Sequence, residues 1–340
     1  MSTSMRRIVL ASRPKAEPQA DNFRLEEAPL PEPADGEVLV RIEYMSLDPY
    51  MRGRMSAAKS YAAPVEIGET MTAGAVGEVL TSRSPGFAPG DKVLGMFGWA
   101  DHGCLPGTQL RKLDPAHGPV TTALGVLGMP GFTAWHGLTA IGQPKAGETL
   151  VVAAATGPVG SMVGQLAKSR GLRVVGIAGG PEKCRLATET FGFDACLDHY
   201  AYDDARALSA ALAEACPDGI DVYFENVGGK VLAAVLPLMN PHGRIPICGM
   251  IAWYNGTRPD DMPLAAAWST ILSRFLRAEG FIISNHFDDF PAFAAEVGPK
   301  VGAGEIRYLE DIAEGLENAP ETFMSMLKGG NTGKQIVKIT

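Results

Sequence analysis

Apolar and polar residues alternate along this chain in two different rhythms. Up to about residue 120 the apolar runs are short and cut by Gly and Pro: Ile8-Val9-Leu10-Ala11, Val38 to Ile42 after Gly36-Glu37, Ala73 to Leu80, and Asp91 to Met96 after Pro89-Gly90. Pro14, Pro18, Pro29, Pro31 and Pro33 punctuate the start. Short strands with frequent turns predict a compact, barrel-like β domain. From Thr122 through Gly142 the spacing turns helical, with Trp135 and Leu138 on a buried side. Strand and helix patterns then alternate. Strands are predicted at Leu150–Ala155, Arg173–Ala178, Phe193–Leu197, Ile220–Phe224 and Gly243–Cys248, and after Gly280 at Phe281-Ile282-Ile283. Helices are predicted from near Gly160, at Ala205–Ala215, at Val231–Leu238 and at Phe290–Val297. Such alternation specifies an α/β fold, a doubly wound parallel sheet with helices on both faces. The segment from about 305 to 340 returns to strand character in Ile306-Arg307-Tyr308 and Gln335–Ile339.

The first strand of the alternating region runs into Ala155-Thr156-Gly157-Pro158-Val159-Gly160, and Val159, Met162, Val163 and Leu166 follow at helical spacing. Strand, glycine turn, helix and second strand form a unit suited to a dinucleotide, whose pyrophosphate meets open backbone N–H groups and the positive end of the helix. Gly157 permits close approach of the phosphate, and Gly160 allows tight packing of helix on strand. Ala155 stands where the usual pattern has its first glycine. Taken alone, such a turn can also serve a purely steric need in a βα loop; the flanking strands and helix favour the dinucleotide. An NAD site usually carries Asp or Glu roughly 20 residues past the glycines. Here the second strand ends Ile177-Ala178-Gly179-Gly180, with Glu182 slightly late and Lys183 beside it. No acid repels a 2′-phosphate and an ammonium stands ready, so the expected cofactor is NADP(H). The competing reading makes Lys183 a solvated residue of the next helix.

Composition narrows the classes further. The chain has 340 residues, enough for two domains, with 46% hydrophobic and 20% charged residues. A net charge of −8 without a basic cluster argues against nucleic acid and anionic membranes as partners. No apolar run reaches the length of a membrane span. The run after Arg6-Arg7 is too short for a signal-peptide core. Cysteines at 104, 184, 196, 216 and 248 are scattered and odd in number, which fits a reducing cytoplasm rather than a disulfide framework.

Longer motifs carry a resemblance. SLDPYMRGRM (46–55), MPGFTAWHGL (129–138), AAATGPVGSMVGQLAK (153–168), FENVGG (224–229), ICGMIAWYN (247–255) and MLKGGNTGKQIVKI (326–339) occur in this order across nearly the whole chain. The sequence resembles the medium-chain dehydrogenase/reductase superfamily, in its zinc-free branch of prostaglandin and alkenal/one double-bond reductases. That resemblance implies a GroES-like catalytic domain from residues 1–122 and 305–340, with a Rossmann domain, 123–304, inserted between. It also implies a substrate in the cleft beside the nicotinamide, and a homodimer through an edge strand of the Rossmann sheet. By position, Lys183 matches the residue holding the adenosine 2′-phosphate, and Gly157 and Gly160 lie at the pyrophosphate. Tyr200, Asn226 and Asn331 match cofactor-lining positions, and Thr133, Val159 and Gly179 complete that set. Tyr254 matches a tyrosine facing the reacting group and Tyr50 one lining the substrate pocket. Trp253 before Tyr254 departs from many members and bears on pocket width.

The resemblance also bears on metal. Ser46-Leu47-Asp48-Pro49-Tyr50 stands where related alcohol dehydrogenases have their first cysteine ligand, and no His-Glu pair follows. Histidines 102, 117, 136, 199, 242 and 286 are isolated in sequence, so no metal is expected. Without a Lewis acid, conjugate reduction of an enal or enone is easier to arrange than ketone reduction. Hydride adds to the β-carbon, and charge moves to the carbonyl oxygen, where a neutral phenol of pKa about 10 can donate a hydrogen bond. Tyr254 is the candidate donor and Tyr50 the second, against the alternatives of a buried structural tyrosine or a donor hydroxyl on the cofactor ribose. Met45, Met51, Met55 and Met250 offer either a pliable pocket or core filling. Arg52 and Arg54 offer either attraction for a carboxylate or a solvated face. The expected activity is NADPH-dependent 2-alkenal/2-alkenone reduction; a quinone reductase and a non-catalytic NADPH-binding sensor are the alternatives.

Overall fold

A computed structural model describes residues 3–114, 118–256 and 264–339. The chain divides into two compact units, Met1–Gly125 with Glu310–Thr340, and Val126–Leu309.

In the first unit, β1 (Ser4–Leu10) and β2 (Phe23–Pro29) form an antiparallel pair. Then come β3 (Glu37–Ser46), the short helix α1 (Tyr50–Arg54), β4 (Ala75–Ser82), β5 (Lys92–Gly95), β6 (His102–Pro106) and β7 (Arg111–Leu113). β3 is the centre of this sheet, pairing with both β4 and β6, and its register shifts at Leu39/Val40 and Ile42/Tyr44. Such irregularities bend a strand enough to curl a sheet around its own core. Val38, Val40, Ile42 and Met45 are fully buried within it, and Phe23 stacks on Trp99 at 5.4 Å.

The second unit opens with α2 (Met129–His136), followed by a π-helical turn over Gly137–Gly142. The single helical stretch predicted over 122–142 is therefore broken: a 3₁₀ turn at Val120–Leu124 comes first, Gly125 and Gly128 separate it from α2, and Pro130 sits in the first turn of α2. Next follow β8 (Thr149–Ala153), α3 (Pro158–Ser169), β9 (Arg173–Ala178), α4 (Pro181–Glu189), β10 (Ala195–Asp198) and α5 (Ala205–Ala215). The unit continues through β11 (Ile220–Phe224), α6 (Gly229–Val235), β12 (Met239–Ile247), α7 (Leu264–Ser273), β13 (Arg277–Gly280) and α8 (Phe290–Gly302).

The strands lie in the order β10-β9-β8-β11-β12-β13, all parallel. Alternate residues of β8 feed opposite cores. Leu150 and Val152 pack with residues of α2, α3 and α8, whereas Val151 and Ala153 pack with residues of α5 and α6. This is the doubly wound α/β arrangement expected of the alternating pattern. The winding reverses between β8 and β11, so their carboxyl ends flank the crevice where ligands bind in such sheets.

Three predicted strands move. Phe193 is core, wedged against Gly164, and β10 begins only at Ala195. Phe281 turns down onto Phe224 and His136, while the exposed residues 277–280 before it form the edge strand β13. Ile306-Arg307-Tyr308 is not a strand. The Gln165 side chain donates to the Arg307 carbonyl and accepts from its N–H, both at 2.8 Å, so one amide side chain takes the place of a neighbouring strand. The chain then re-enters the first unit through β14 (Glu310–Glu314), α9 (Ala319–Leu327) and β15 (Lys334–Lys338), and β15 pairs with β3.

Candidate active site

The turn after β8 is set by steric limits. A Cβ on Gly160 would lie 2.2 Å from the Ala154 carbonyl oxygen, so only glycine lets α3 start this close to the strand. The residue in the left-handed region is Ala154 (φ 54°), one position before the Ala155 singled out by the motif. Gly157 caps α3, Pro158 occupies its first turn, and Val159 and Gly160 follow with the open N–H groups of a helix start. At the end of β9, a Cβ on Gly179 would meet the Tyr200 ring at 2.6 Å; the ring lies on bare backbone. The Asp198 carboxylate accepts from the N–H groups of Gly180 (2.7 Å) and Tyr200 (2.9 Å) and joins the ends of β9 and β10. The His199 ring packs against that of Tyr200, tilted, at 4.2 Å between centroids. Burial, then the charges of Lys230 and of Lys183, hold its imidazole below the usual range. Lys183 and Lys230 thus put positive charge near His199, against the opposing Asp198 carboxylate. Open helix-start N–H groups, a glycine cradle and a cationic corner fit a dinucleotide with a 2′-phosphate.

Across the switch point, β11 delivers Glu225 and Asn226. Asn226 donates from Nδ2 to the Ala153 carbonyl at 2.8 Å, linking the ends of β8 and β11. Its own carbonyl accepts from Ile251 N–H at 3.2 Å, which anchors the loop carrying Tyr254. The Tyr254 hydroxyl accepts from Met250 N–H at 3.3 Å and lies over Gly249, where a Cβ would come within 2.9 Å of it. Trp253 packs its indole on Gly228. Glu225, in sequence only one letter of the FENVGG motif, organises the turn after β11: its buried carboxylate accepts from the N–H groups of Val227 and Gly228. Burial pushes it up to about 7, and those two N–H groups partly offset the shift. Thr133 lies buried in α2, where its hydroxyl donates to the Met129 carbonyl at 2.7 Å.

Tyr50 and Asn331 belong to the first unit. Burial and the Asp48 charge raise the Tyr50 phenol well above its usual range, so it stays neutral; Arg54 lies over its ring at 5.8 Å. Asn331 donates to the Gly333 carbonyl at 2.8 Å. The segment lacking the cysteine ligand is filled by a buried ion pair. Lys334 Nζ donates to Asp48 Oδ1 at 2.8 Å and to the Leu47 carbonyl at 2.7 Å, and Ser46 donates to the other carboxylate oxygen. Nothing in the sequence flagged Lys334. Arg52 is not a solvated residue, being buried and donating to the Ala16 carbonyl; Arg54 is half-buried, donates to the Ala63 carbonyl and lies over the Tyr50 and Tyr61 rings. Met45, Met51 and Met55 are core, whereas Met250 is exposed.

The histidines are less isolated in space than in sequence. His136, His286 and Asp289 gather with candidate ligand atoms within 4.8 Å of one another, and the two imidazoles lie tilted with centroids 4.0 Å apart. His117 lies outside the described residues.

Sequence comparison fits this architecture. A family profile described as the N-terminal domain of oxidoreductase matches residues 6–113, and one described as zinc-binding dehydrogenase matches 158–297. The chain belongs to the zinc-free branch of the medium-chain dehydrogenase/reductase family and is an NADPH-dependent oxidoreductase. Among its relatives is the NADPH-dependent curcumin reductase of Escherichia coli strain K12, 53% identical over 98% of this chain and 96% of the relative. The NADP(+)-dependent 2-alkenal reductase of Nicotiana tabacum is 42% identical over 89% and 88%. The crystal structure of CurA from Vibrio vulnificus in complex with NADPH superposes with a TM-score of 0.93 at 49% identity, covering 98% of this chain and 99% of that one.

Proposed function

We propose that this enzyme reduces the conjugated C=C bond of 2-alkenals and 2-alkenones. The observation that carries this reading is the placement of Tyr254, a phenol oriented by a backbone N–H and tied through Asn226 to the end of β8. The names of the curcumin and 2-alkenal reductases support the same substrate class. NADPH, when bound, supplies the hydride that adds to the substrate β-carbon. Gly157, Val159 and Gly160 hold the pyrophosphate, and Lys183 with Gly179 and Tyr200 holds the 2′-phosphate. Asn226 and Thr133 line the cofactor. Tyr254 donates to the carbonyl oxygen as enolate charge develops there. A proton from solvent completes the α-carbon.

The oligomer we infer is a homodimer in the cytoplasm. β13 is an edge strand, and α7 beside it presents Leu264, Trp268 and Leu272, spaced by four residues and 61–77% exposed, with Phe275 just beyond. An apolar stripe next to an open sheet edge is what a second copy would cover.

The direct test follows NADPH absorbance with matched pairs of conjugated and saturated carbonyls, and with quinones. Turnover confined to the conjugated aldehydes and ketones is the expected result. Turnover of quinones alone would reassign the activity, and tight NADPH binding with no turnover would make the protein a binder.

A further inference from the structure

Two of the five thiols touch. The Cys196 Sγ donates to Cys184 Sγ at 3.2 Å, with Cys184 in the first half of α4 and Cys196 near the start of β10. A disulfide needs about 2.05 Å between sulfurs, so closure asks for a movement of about 1.2 Å. Cys184 follows Lys183 directly, and β10 ends at the Asp198 carboxylate that clamps Gly180 and Tyr200. A Cβ on Gly176 would meet Cys196 Sγ at 3.1 Å and the Ala155 Cβ at 2.8 Å, which puts the pair directly behind the dinucleotide turn.

From this geometry we propose that Cys184 and Cys196 form a modification site for hydroperoxides, closing to an intrachain disulfide that lowers affinity for NADPH. The cofactor half of this proposal rests on the 2′-phosphate role given above to Lys183. The contact itself assigns the two thiols different parts. The hydrogen bond from Cys196 keeps the Cys184 thiol below its ordinary range, and the same contact with burial pushes Cys196 up. The Cys184 thiolate attacks a peroxide oxygen and breaks the O–O bond. An alcohol, or water from hydrogen peroxide, leaves with a proton, and Cys184 becomes a sulfenic acid. The Cys196 sulfur then attacks Cys184 sulfur, the S–O bond breaks, and water departs with the Cys196 proton. Two thiols have lost two electrons and two protons, and the hydroperoxide has become an alcohol and water. Cys104, Cys216 and Cys248 are poor competitors, because burial raises them to about 11, 11 and 12. Closure draws the start of α4 toward β10 and carries Lys183 away from its working position.

The test treats reduced full-length protein with hydrogen peroxide and maps its peptides without reduction. The expected product is a Cys184–Cys196 cross-link, lighter by two hydrogens and reversed by dithiothreitol. The Kd for NADPH should rise about tenfold, the loss of one charge-assisted hydrogen bond, with NADH affinity little changed. In Cys196→Ser the same treatment should leave Cys184 as a sulfenic acid that dimedone traps. Oxidation of other cysteines with 184 and 196 still free overturns the proposal. A cross-link with NADPH affinity unchanged overturns its cofactor half, provided Lys183→Ala weakens NADPH selectively. If Lys183→Ala weakens both cofactors alike, the 2′-phosphate reading is what fails, and the cross-link stands on its mass.

Discussion

A single hydroxyl, ammonium or carboxyl decides most of what this enzyme should do. Tyr254 already accepts a backbone N–H, so removing its oxygen leaves the loop's Asn226 anchor in place. Tyr254→Phe should cut kcat about 10²-fold, the cost of one oxyanion donor, and leave the Kd for NADPH unchanged by fluorescence titration. Lys183→Ala should weaken NADPH by about 10- to 100-fold and spare NADH, as expected of one charged contact to phosphate. Glu225 offers a test by pH. Its folded pKa, about 7, lies above the ordinary 4.5, so the folded protein holds that proton more tightly than the unfolded chain. The resulting stability is fully present below pH 4.5 and is lost as pH rises through 7. Relative to wild type, Glu225→Gln should therefore gain up to about 3 kcal/mol between those limits, measured by urea unfolding at each pH.

Elements in the second unit meet at distances that leave no room for a methyl group. The βα turn is the clearest case, since any side chain on Gly160 would strike the Ala154 carbonyl, itself on a residue in the left-handed region. Gly160→Ala should destabilise the fold by about 1–3 kcal/mol, read as a lower urea midpoint, and weaken NADPH by displacing the start of α3. The same closeness explains why glycine follows β9: the Tyr200 ring occupies the space a Gly179 side chain would need. Where a strand was expected at 306–308, Gln165 supplies both hydrogen bonds that a partner strand would have supplied, and Ile306 is free to enter the core.

For the molecule as a whole, the open question of partner copies turns on α7 and β13. Trp268 is 61% exposed in the middle of an apolar stripe, so a charge placed there should cost little in a monomer and much in a dimer. Trp268→Glu should convert a sedimenting dimer to monomer without lowering the thermal midpoint by much. An unchanged dimer would place the interface elsewhere. No described helix is long and apolar enough to cross a membrane.

Periodicity alone determined the alternation of strands and helices behind the parallel sheet and the place of its glycine turn, because each depends on residues within one or two consecutive elements. Ala205–Ala215 and Ile220–Phe224 have the predicted bounds for that reason. Contacts between residues far apart in the chain were decided only by tertiary structure. Lys334 fills the place beside Asp48, 286 residues away, and His136 meets His286 and Asp289 across a helix and a turn. Cys184 and Cys196 touch only because α4 folds back along β10. A hydrophobic period specifies which face of an element is buried; which side chains then meet depends on how those faces pack, and that is not written in any local stretch of the chain.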